Sequence, residues 1–203
     1  VTVFDFGTHE QGAYLVMQFI RGRELAQAFE AGERFSLAES VRITTELLDA
    51  LGYAHQHGVV HRDIKPANVM LDEHGSVKLT DFGVARLVDT NLDRTVPGTI
   101  VGTPSYMSPE QILGQAVGSR ADLFAVGVIF YQFITGQKPF GGGKGVFALQ
   151  HAIVNEDAPP PSQRVPGLDP AWDAVIRQAL AKKPQDRFEN AQAFADALRQ
   201  RSE

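Results

Sequence analysis

Four polar residues, grouped in two nearby segments, have the side-chain types that transfer of a phosphoryl group requires. Asp63, Lys65 and Asn68 lie within the segment HRDIKPAN, and Asp81 follows Asn68 by thirteen residues. A carboxylate such as Asp63 can orient a hydroxyl group and accept its proton, while the Lys65 ammonium can offset charge on a moving phosphoryl group. The amide oxygen of Asn68 and the carboxylate of Asp81 are hard oxygen ligands that suit Mg²⁺. The pattern therefore indicates metal-assisted phosphoryl transfer.

A short hairpin is predicted to bring the two metal ligands together. Residues 69–71 and 77–79 are apolar and strand-like, and they flank the turn sequence DEHG. Because antiparallel strands return the chain to the end from which it left, Asn68 and Asp81 are expected to face one volume. Asp63 precedes this hairpin on a polar loop.

Two further elements are predicted on the N-terminal side of this loop. Residues 1–6 and 13–19 are β-rich and apolar, with a polar stretch between them, which is typical of a hairpin. Ser36 is followed three positions later by Glu39, and this capping box predicts the start of a helix. Helical spacing of apolar residues continues to Gly58, where the helix is expected to end.

The remainder of the chain is predicted to be mostly helical. A buried helix is expected from Ser119 to Gly136, with Ser119 and Asp122 as its caps. Another helix is expected over residues 169–183, and a last one over residues 190–199, interpreted as a solvated amphipathic helix. Hairpins followed by helices give an α+β order.

Composition excludes several classes of protein. The 203 residues are 43% hydrophobic, which suffices for a core, and their net charge of −5 does not favour a nucleic-acid partner. The absence of cysteine excludes disulfides and thiolate metal sites. The longest apolar stretch, Leu123 to Ile134, is shorter than the about 20 residues of a membrane span. We expect no membrane contact by this segment and a cytoplasmic location, with any anchor of the parent protein elsewhere.

HRDIKPAN followed by DFG at residues 81–83 resembles the catalytic and metal-binding loops of eukaryotic-type serine/threonine protein kinases, in the variety common in bacteria. The resemblance implies a bilobal fold in which residues 1–20 end the N-lobe and form the hinge, and residues 21–203 form a complete helical C-lobe. It implies ATP and Mg²⁺ as cofactors, with Mn²⁺ as the alternative ion, and a protein substrate with a serine or threonine.

The resemblance also assigns roles at the reaction centre. Asp63 becomes the catalytic base, Lys65 contacts the phosphate, and Asn68 and Asp81 bind the metal and ATP. The resemblance places Gln18 and Ile20 on the hinge, where their backbone groups bind the adenine edge. The resemblance further implies that Met17 is the gatekeeper of the nucleotide site and that Met70 forms the apolar floor beneath the adenine ring.

Other residues match structural and regulatory positions of the family. His61 and Phe82 are expected to pack together, and Gly83 completes the metal-binding motif. The block from Gly102 to Glu110 resembles the segment that closes the activation loop, and it includes Thr103. The resemblance implies a buried ion pair between Glu110 and Arg187, and it places Asp122 on the central buried helix.

The resemblance suggests regulation by phosphorylation. Arg62 precedes Asp63, and such an arginine often binds a phosphate on the activation loop in this family. Thr90, Thr95 and Thr99 are candidates for that phosphate, with Thr95 preferred and Thr99 second.

The family's glycine-rich loop, the lysine of its third strand and the glutamate of its next helix have no counterpart among these residues. We interpret the chain as a kinase domain truncated at its N-terminus, which alone is weakly active or inactive. The alternative is a pseudokinase or non-catalytic binding module. A small-molecule phosphotransferase of the aminoglycoside type also has a His-x-Asp loop, but Lys65, the motif at 81–83 and the block at 102–110 favour a protein kinase.

Overall fold

The computed structural model describes residues 1–9, 12–81, 104–141 and 145–202. Several predicted positions lie outside these residues: Phe82, Gly83, Thr90, Thr95, Thr99, Gly102 and Thr103. Within the described part of the chain, no helix is both long and apolar enough to cross a membrane.

Two small antiparallel sheets are formed. In the first, β1 (Val3–His9) pairs with β2 (Gly12–Met17), which confirms the N-terminal hairpin. In the second, the strand order is β3 (Gly22–Glu24), β4 (Val69–Asp72) and β5 (Val77–Leu79), which confirms the hairpin between the predicted metal ligands. The sequence did not indicate β3, because three residues are too few to show an alternating pattern.

The first two helices lead from β3 to the loop before β4. They are α1 (Leu25–Glu30) and α2 (Leu37–Gln56). The predicted capping box is present, since Ser36 Oγ accepts the Glu39 N–H at 3.2 Å and Glu39 Oε2 accepts the Ser36 N–H at 3.0 Å. Just beyond the end of α2, Gly58 has a φ of 74°, the left-handed conformation expected at this end.

A short helix α3 (Pro109–Ile112) precedes α4 (Ser119–Thr135), which is buried along most of its length. The predicted capping of α4 is wrong. Gly118 stands at the cap position without a side-chain hydrogen bond, and Ser119 is the first helical residue. Asp122 instead accepts two backbone N–H groups from the loop after α2, because those donors have no partner within a helix or sheet.

The C-terminal helices are α5 (Val146–Asn155), α6 (Pro161–Arg164), α7 (Ala171–Ala179) and α8 (Ala191–Ser202). The predicted extent of α7 to residue 183 is wrong. The helix ends at Ala179, and the carbonyls of Ala181 and Lys182 accept hydrogen bonds from Arg187 rather than continuing the helical ladder.

The interpretation of the last helix as a solvated face is also wrong. Phe194, Ala195 and Leu198 are fully buried, and α8 packs against α2. The core therefore lies between α2, α4, α7 and α8. At the centre of this core α4 approaches α7 so closely that a Cβ added to Gly127 would lie 2.9 Å from the Cβ of Ala179.

Candidate active site

The loop between α2 and β4 gathers three of the predicted functional side chains. Lys65 Nζ lies 2.7 Å from Asp63 Oδ2, and Asn68 Nδ2 donates to the same oxygen at 3.1 Å and to the Asp63 carbonyl at 2.7 Å. The Asp63 side chain is 55% exposed and that of Lys65 is 42% exposed. A substrate can therefore reach both charged groups, while the amide that braces Asp63 is buried.

The buried imidazole of His61 fixes the backbone of this loop. Its Nε2 lies 2.8 Å from the carbonyl oxygen of Thr80, so Nε2 must be the protonated nitrogen. Its Nδ1 then accepts the N–H of Asp63 at 3.3 Å. The His61 ring thus connects the backbone of Asp63, the candidate base, to Thr80 at the end of β5. The packing of His61 against Phe82 stays a prediction, because Phe82 lies outside the described residues.

Thr80 holds the two predicted metal ligands in fixed relation. Its N–H and its Oγ1 both donate to the carbonyl oxygen of Asn68, at 2.9 and 3.2 Å. Asp81 follows directly and is exposed, with a left-handed φ of 59°. The hairpin therefore returns Asp81 to the level of Asn68, as the sequence predicts.

The donor chemistry of Asn68 and Asp81 fits Mg²⁺. Both hydrogen bonds that the Asn68 side chain forms with described residues are donated by Nδ2, which leaves Oδ1 as a ligand. Among the described residues no group of three or more His, Cys, Asp or Glu side chains is arranged to hold a metal. Two oxygen ligands are nonetheless what Mg²⁺ takes from a protein when nucleotide phosphates complete its coordination.

Asp122 fixes the strained start of the loop between α2 and β4. Its carboxylate, 1% exposed, accepts the N–H of His61 at 2.9 Å and that of Arg62 at 2.8 Å, and it lies 2.8 Å from His55 Nε2. Arg62 has a φ of 67°, which an L-residue adopts only at a cost of about 1–3 kcal/mol. Gln111 Nε2 fixes the same residue from the other side by donating to its carbonyl oxygen at 2.7 Å.

We expect Asp122→Asn to lower the rate of phosphoryl transfer by up to about 10²-fold without unfolding the protein. An amide in place of the carboxylate cannot accept all three hydrogen bonds, so the backbone at residues 61 and 62 moves and displaces Asp63. Steady-state kinetics would show the loss in kcat rather than in the KM for ATP.

Asp173→Asn is the matched control for that variant. Asp173 also accepts two hydrogen bonds, but both come from Ser162 at α6. An equal loss of kcat in the two variants would contradict the positioning role of Asp122.

The predicted ion pair between α3 and the segment after α7 is present and buried. Arg187 donates from Nη1 and Nη2 to the two oxygens of Glu110, each at 2.7 Å, and the two side chains are 0% and 3% exposed. Burial acts to raise the pKa of Glu110, but the hydrogen bonds and charge of Arg187, together with hydrogen bonds from the backbone and from Ser108, outweigh it, and the pKa lies below its ordinary value. The pair fastens α3, and with it the segment that precedes it, to the C-terminal helices.

A cavity of about 100 Å³ lies beside the charged groups of the loop, between the loop, α4 and residues 106–107. Asp63, Lys65, Tyr106 and Met107 contribute to its lining. The ring of Tyr106 is fixed by a hydrogen bond from its Oη to Gln132 Oε1 at 2.7 Å. A side chain next to an accepting hydroxyl group has space in this cavity.

The nucleotide-binding residues predicted on the hinge do not join this network. Gln18 and Ile20 lie between β2 and β3, and Met70 lies on β4. The backbone N–H of Gln18 donates to the Thr2 carbonyl at 2.8 Å, which leaves its carbonyl for a ligand. No hydrogen bond within the described residues links Gln18 or Ile20 to Asp63, so the adenine site stays a prediction.

Three residues that position the loop were not singled out from the sequence as functional. Thr80 and Gln111 carry no local signal, because their partners are distant in sequence. The third is His55, the penultimate residue of α2, whose ring is nearly buried against Asp122 and therefore has a structural role.

Known proteins are similar to this chain over nearly its whole length. The family described as "Protein kinase domain" matches residues 1–198. Serine/threonine-protein kinase Pkn1 of Myxococcus xanthus is 42% identical over 98% of this chain. A probable serine/threonine-protein kinase PknB of Bifidobacterium longum is 40% identical over 94% of the chain, and serine/threonine-protein kinase PknB of Mycolicibacterium smegmatis is 38% identical over 98%.

The chain spans only part of these relatives. The matched regions cover 29%, 28% and 33% of the length of the three proteins, respectively.

Proposed function

The chain belongs to the protein kinase domain family, and from that premise we propose that it transfers the γ-phosphoryl group of ATP to serine or threonine hydroxyl groups of proteins. The observation that carries the proposal is that Lys65 and Asn68 both bind one oxygen of the exposed Asp63 carboxylate. The names of the relatives support the class of accepting residue.

Asp63 is the residue that receives the accepting hydroxyl group. Lys65 and Asn68 both bind its Oδ2, and no described residue donates to its Oδ1. A hydroxyl group can therefore donate to Oδ1, which orients the hydroxyl oxygen and takes its proton. As that oxygen bonds to the γ-phosphorus, the bond from the γ-phosphorus to the bridging oxygen of ATP breaks and ADP leaves. Lys65, which binds Asp63 Oδ2, offsets charge on the phosphoryl group.

Asn68 and Asp81 would hold Mg²⁺ together with the nucleotide phosphates. When bound, the ion supplies charge neutralisation and orientation of the phosphates. The buried amide of Asn68 and the fixed backbone of Thr80 hold the two ligands at a set spacing before any ligand arrives. Such preorganisation lowers the cost of assembling the site.

The hinge and regulatory assignments extend the same proposal. The Gln18 carbonyl and the Ile20 N–H would bind the adenine edge, with Met70 beneath the ring. The exposed guanidinium of Arg62 would bind a phosphate on Thr95 or Thr99. The activity would take place in the cytoplasm, where ATP and Mg²⁺ are present.

A phosphotransfer assay tests the proposed function. It uses labelled ATP, Mg²⁺ and two generic proteins, one basic and one acidic, and it compares this chain with a version extended upstream by its natural sequence. We expect transfer by the extended protein and little by the 203-residue chain, because the chain does not contain the glycine-rich loop of the family. Absence of transfer from both, with folding shown by circular dichroism, would favour the non-catalytic binding module.

A further inference from the structure

A cleft of about 570 Å³ beside residues 105–106 carries positive charge, and none of the described residues that line it is acidic. Lys138 and Arg164 line it, together with Ser105, Phe140 and Leu149. Neither cation forms an ion pair with a carboxylate of the described residues. The chain as a whole is acidic, so this surplus of positive charge is local.

The ammonium of Lys138 is partly removed from water, and its partners among the described residues are neutral. Its Nζ lies 3.3 Å from Ser105 Oγ and 5.1 Å from the ring centroid of Tyr106. Burial lowers the pKa of Lys138, and within the part of the chain that the structure describes no carboxylate opposes that effect. A desolvated charge of this kind gains from any anion that enters the cleft.

Arg164 supplies a second donor at the same cleft. It is exposed, and its Nη1 donates to the neutral side-chain oxygen of Gln137. Asp173, the acid of the adjoining helix, accepts the N–H and the hydroxyl group of Ser162 and does not pair with Arg164. The guanidinium also lies close to the hydroxyl group of Tyr131, so its partners among the described residues are neutral and its charge can attract an anion that enters the cleft.

Tyr106 connects this cleft to the reaction centre. Its ring lines the small cavity that contains Asp63 and Lys65, and the same ring lies beneath the ammonium of Lys138. A peptide whose hydroxyl group reaches Asp63 can therefore place another of its side chains in the cleft, a few residues away along its chain.

We propose that Lys138 and Arg164 select protein substrates that carry an aspartate or glutamate a few residues from the accepting serine or threonine. The inference rests on the proposed function and adds a substrate class to it. Because the cleft is remote from the reacting atoms, the acidic side chain contributes to binding, and its effect falls on KM rather than on kcat.

Peptide binding tests this preference independently of catalysis. Fluorescence anisotropy is measured with labelled peptides that share one serine and carry a single aspartate at successive flanking positions, against an all-alanine host. At one position the aspartate is expected to tighten binding by about tenfold, the usual effect of a charged hydrogen bond. Lys138→Gln should abolish the difference and Arg164→Gln should reduce it.

Lys183→Gln is the matched control, because Lys183 is exposed and lines a different cleft. A charge reversal adds specificity, since Lys138→Glu should prefer lysine at the position where the parent prefers aspartate. Thermal melting of each variant shows that it is folded. Equal aspartate preference in the parent and in Lys138→Gln, or no preference in the parent, would overturn the inference.

The two proposals fail in different ways. In a transfer assay with the upstream-extended protein, phosphorylation that ignores the aspartate position would overturn only the acidic preference. A binding preference without phosphorylation of any peptide would overturn only the proposed function.

Discussion

Replacing Asp63 with asparagine is expected to lower the rate of phosphoryl transfer by about 10²- to 10⁴-fold while ATP binding stays nearly unchanged. The amide oxygen of asparagine can still accept the hydrogen bonds from Lys65 and Asn68, so the loop keeps its shape. It cannot take the proton of the accepting hydroxyl group. Transfer rates and nucleotide affinity, measured separately on the natural polypeptide that contains this chain, distinguish these two effects.

Asp157→Asn provides the matched control for this variant. Asp157 is exposed on the segment between α5 and α6, and it makes no hydrogen bond with another described residue. The control should retain the parent's transfer rate. Turnover in Asp63→Asn similar to that of the control would remove Asp63 from the role of base.

The second large effect is expected on stability. Arg187→Met should reduce the free energy of unfolding by about 3–5 kcal/mol, because it leaves the Glu110 carboxylate buried without its partner. The guanidinium also donates to the carbonyls of Arg120, Ala181 and Lys182, and it lies 4.9 Å from the ring centroid of Phe124. Urea unfolding followed by circular dichroism measures the change.

An exposed ion pair gives the comparison. Arg199 pairs with Asp49 at 3.1 Å, and both side chains are about half exposed to solvent. Arg199→Met should cost less than about 1 kcal/mol. Adding Glu110→Gln to Arg187→Met should recover part of the lost stability, because the buried charge is then gone. Equal losses in Arg187→Met and Arg199→Met would contradict the structural importance of the buried pair.

Local sequence patterns predicted the structure correctly where the interacting residues are close together in the chain. The capping box of Ser36 and Glu39 depends on atoms three residues apart, and the hairpin before Asp81 depends on one short turn. The arrangement of Asp63, Lys65 and Asn68 could be expected for the same reason. Their hydrogen bonds span only two to five residues.

The same patterns failed where a distant partner decides the outcome. An acid in the first turn of α4 has the signature of a cap, but Asp122 binds backbone groups 60 and 61 residues away. The apolar residues of α8 were too few to suggest burial, and only its packing against α2 buries Phe194. Long-range partners such as Thr80 and Gln111 are likewise invisible in a single sequence.

The left-handed conformations of Arg62 and Asp81 also bear on attempts to engineer a more robust protein. Glycine adopts such angles without steric cost, so glycine at either position would relieve backbone strain. Stability can therefore be gained at Arg62, which precedes the candidate base, and at Asp81, which is a predicted metal ligand. A selection for heat resistance alone would tend to erase the site, and selection has to be coupled to activity to retain it.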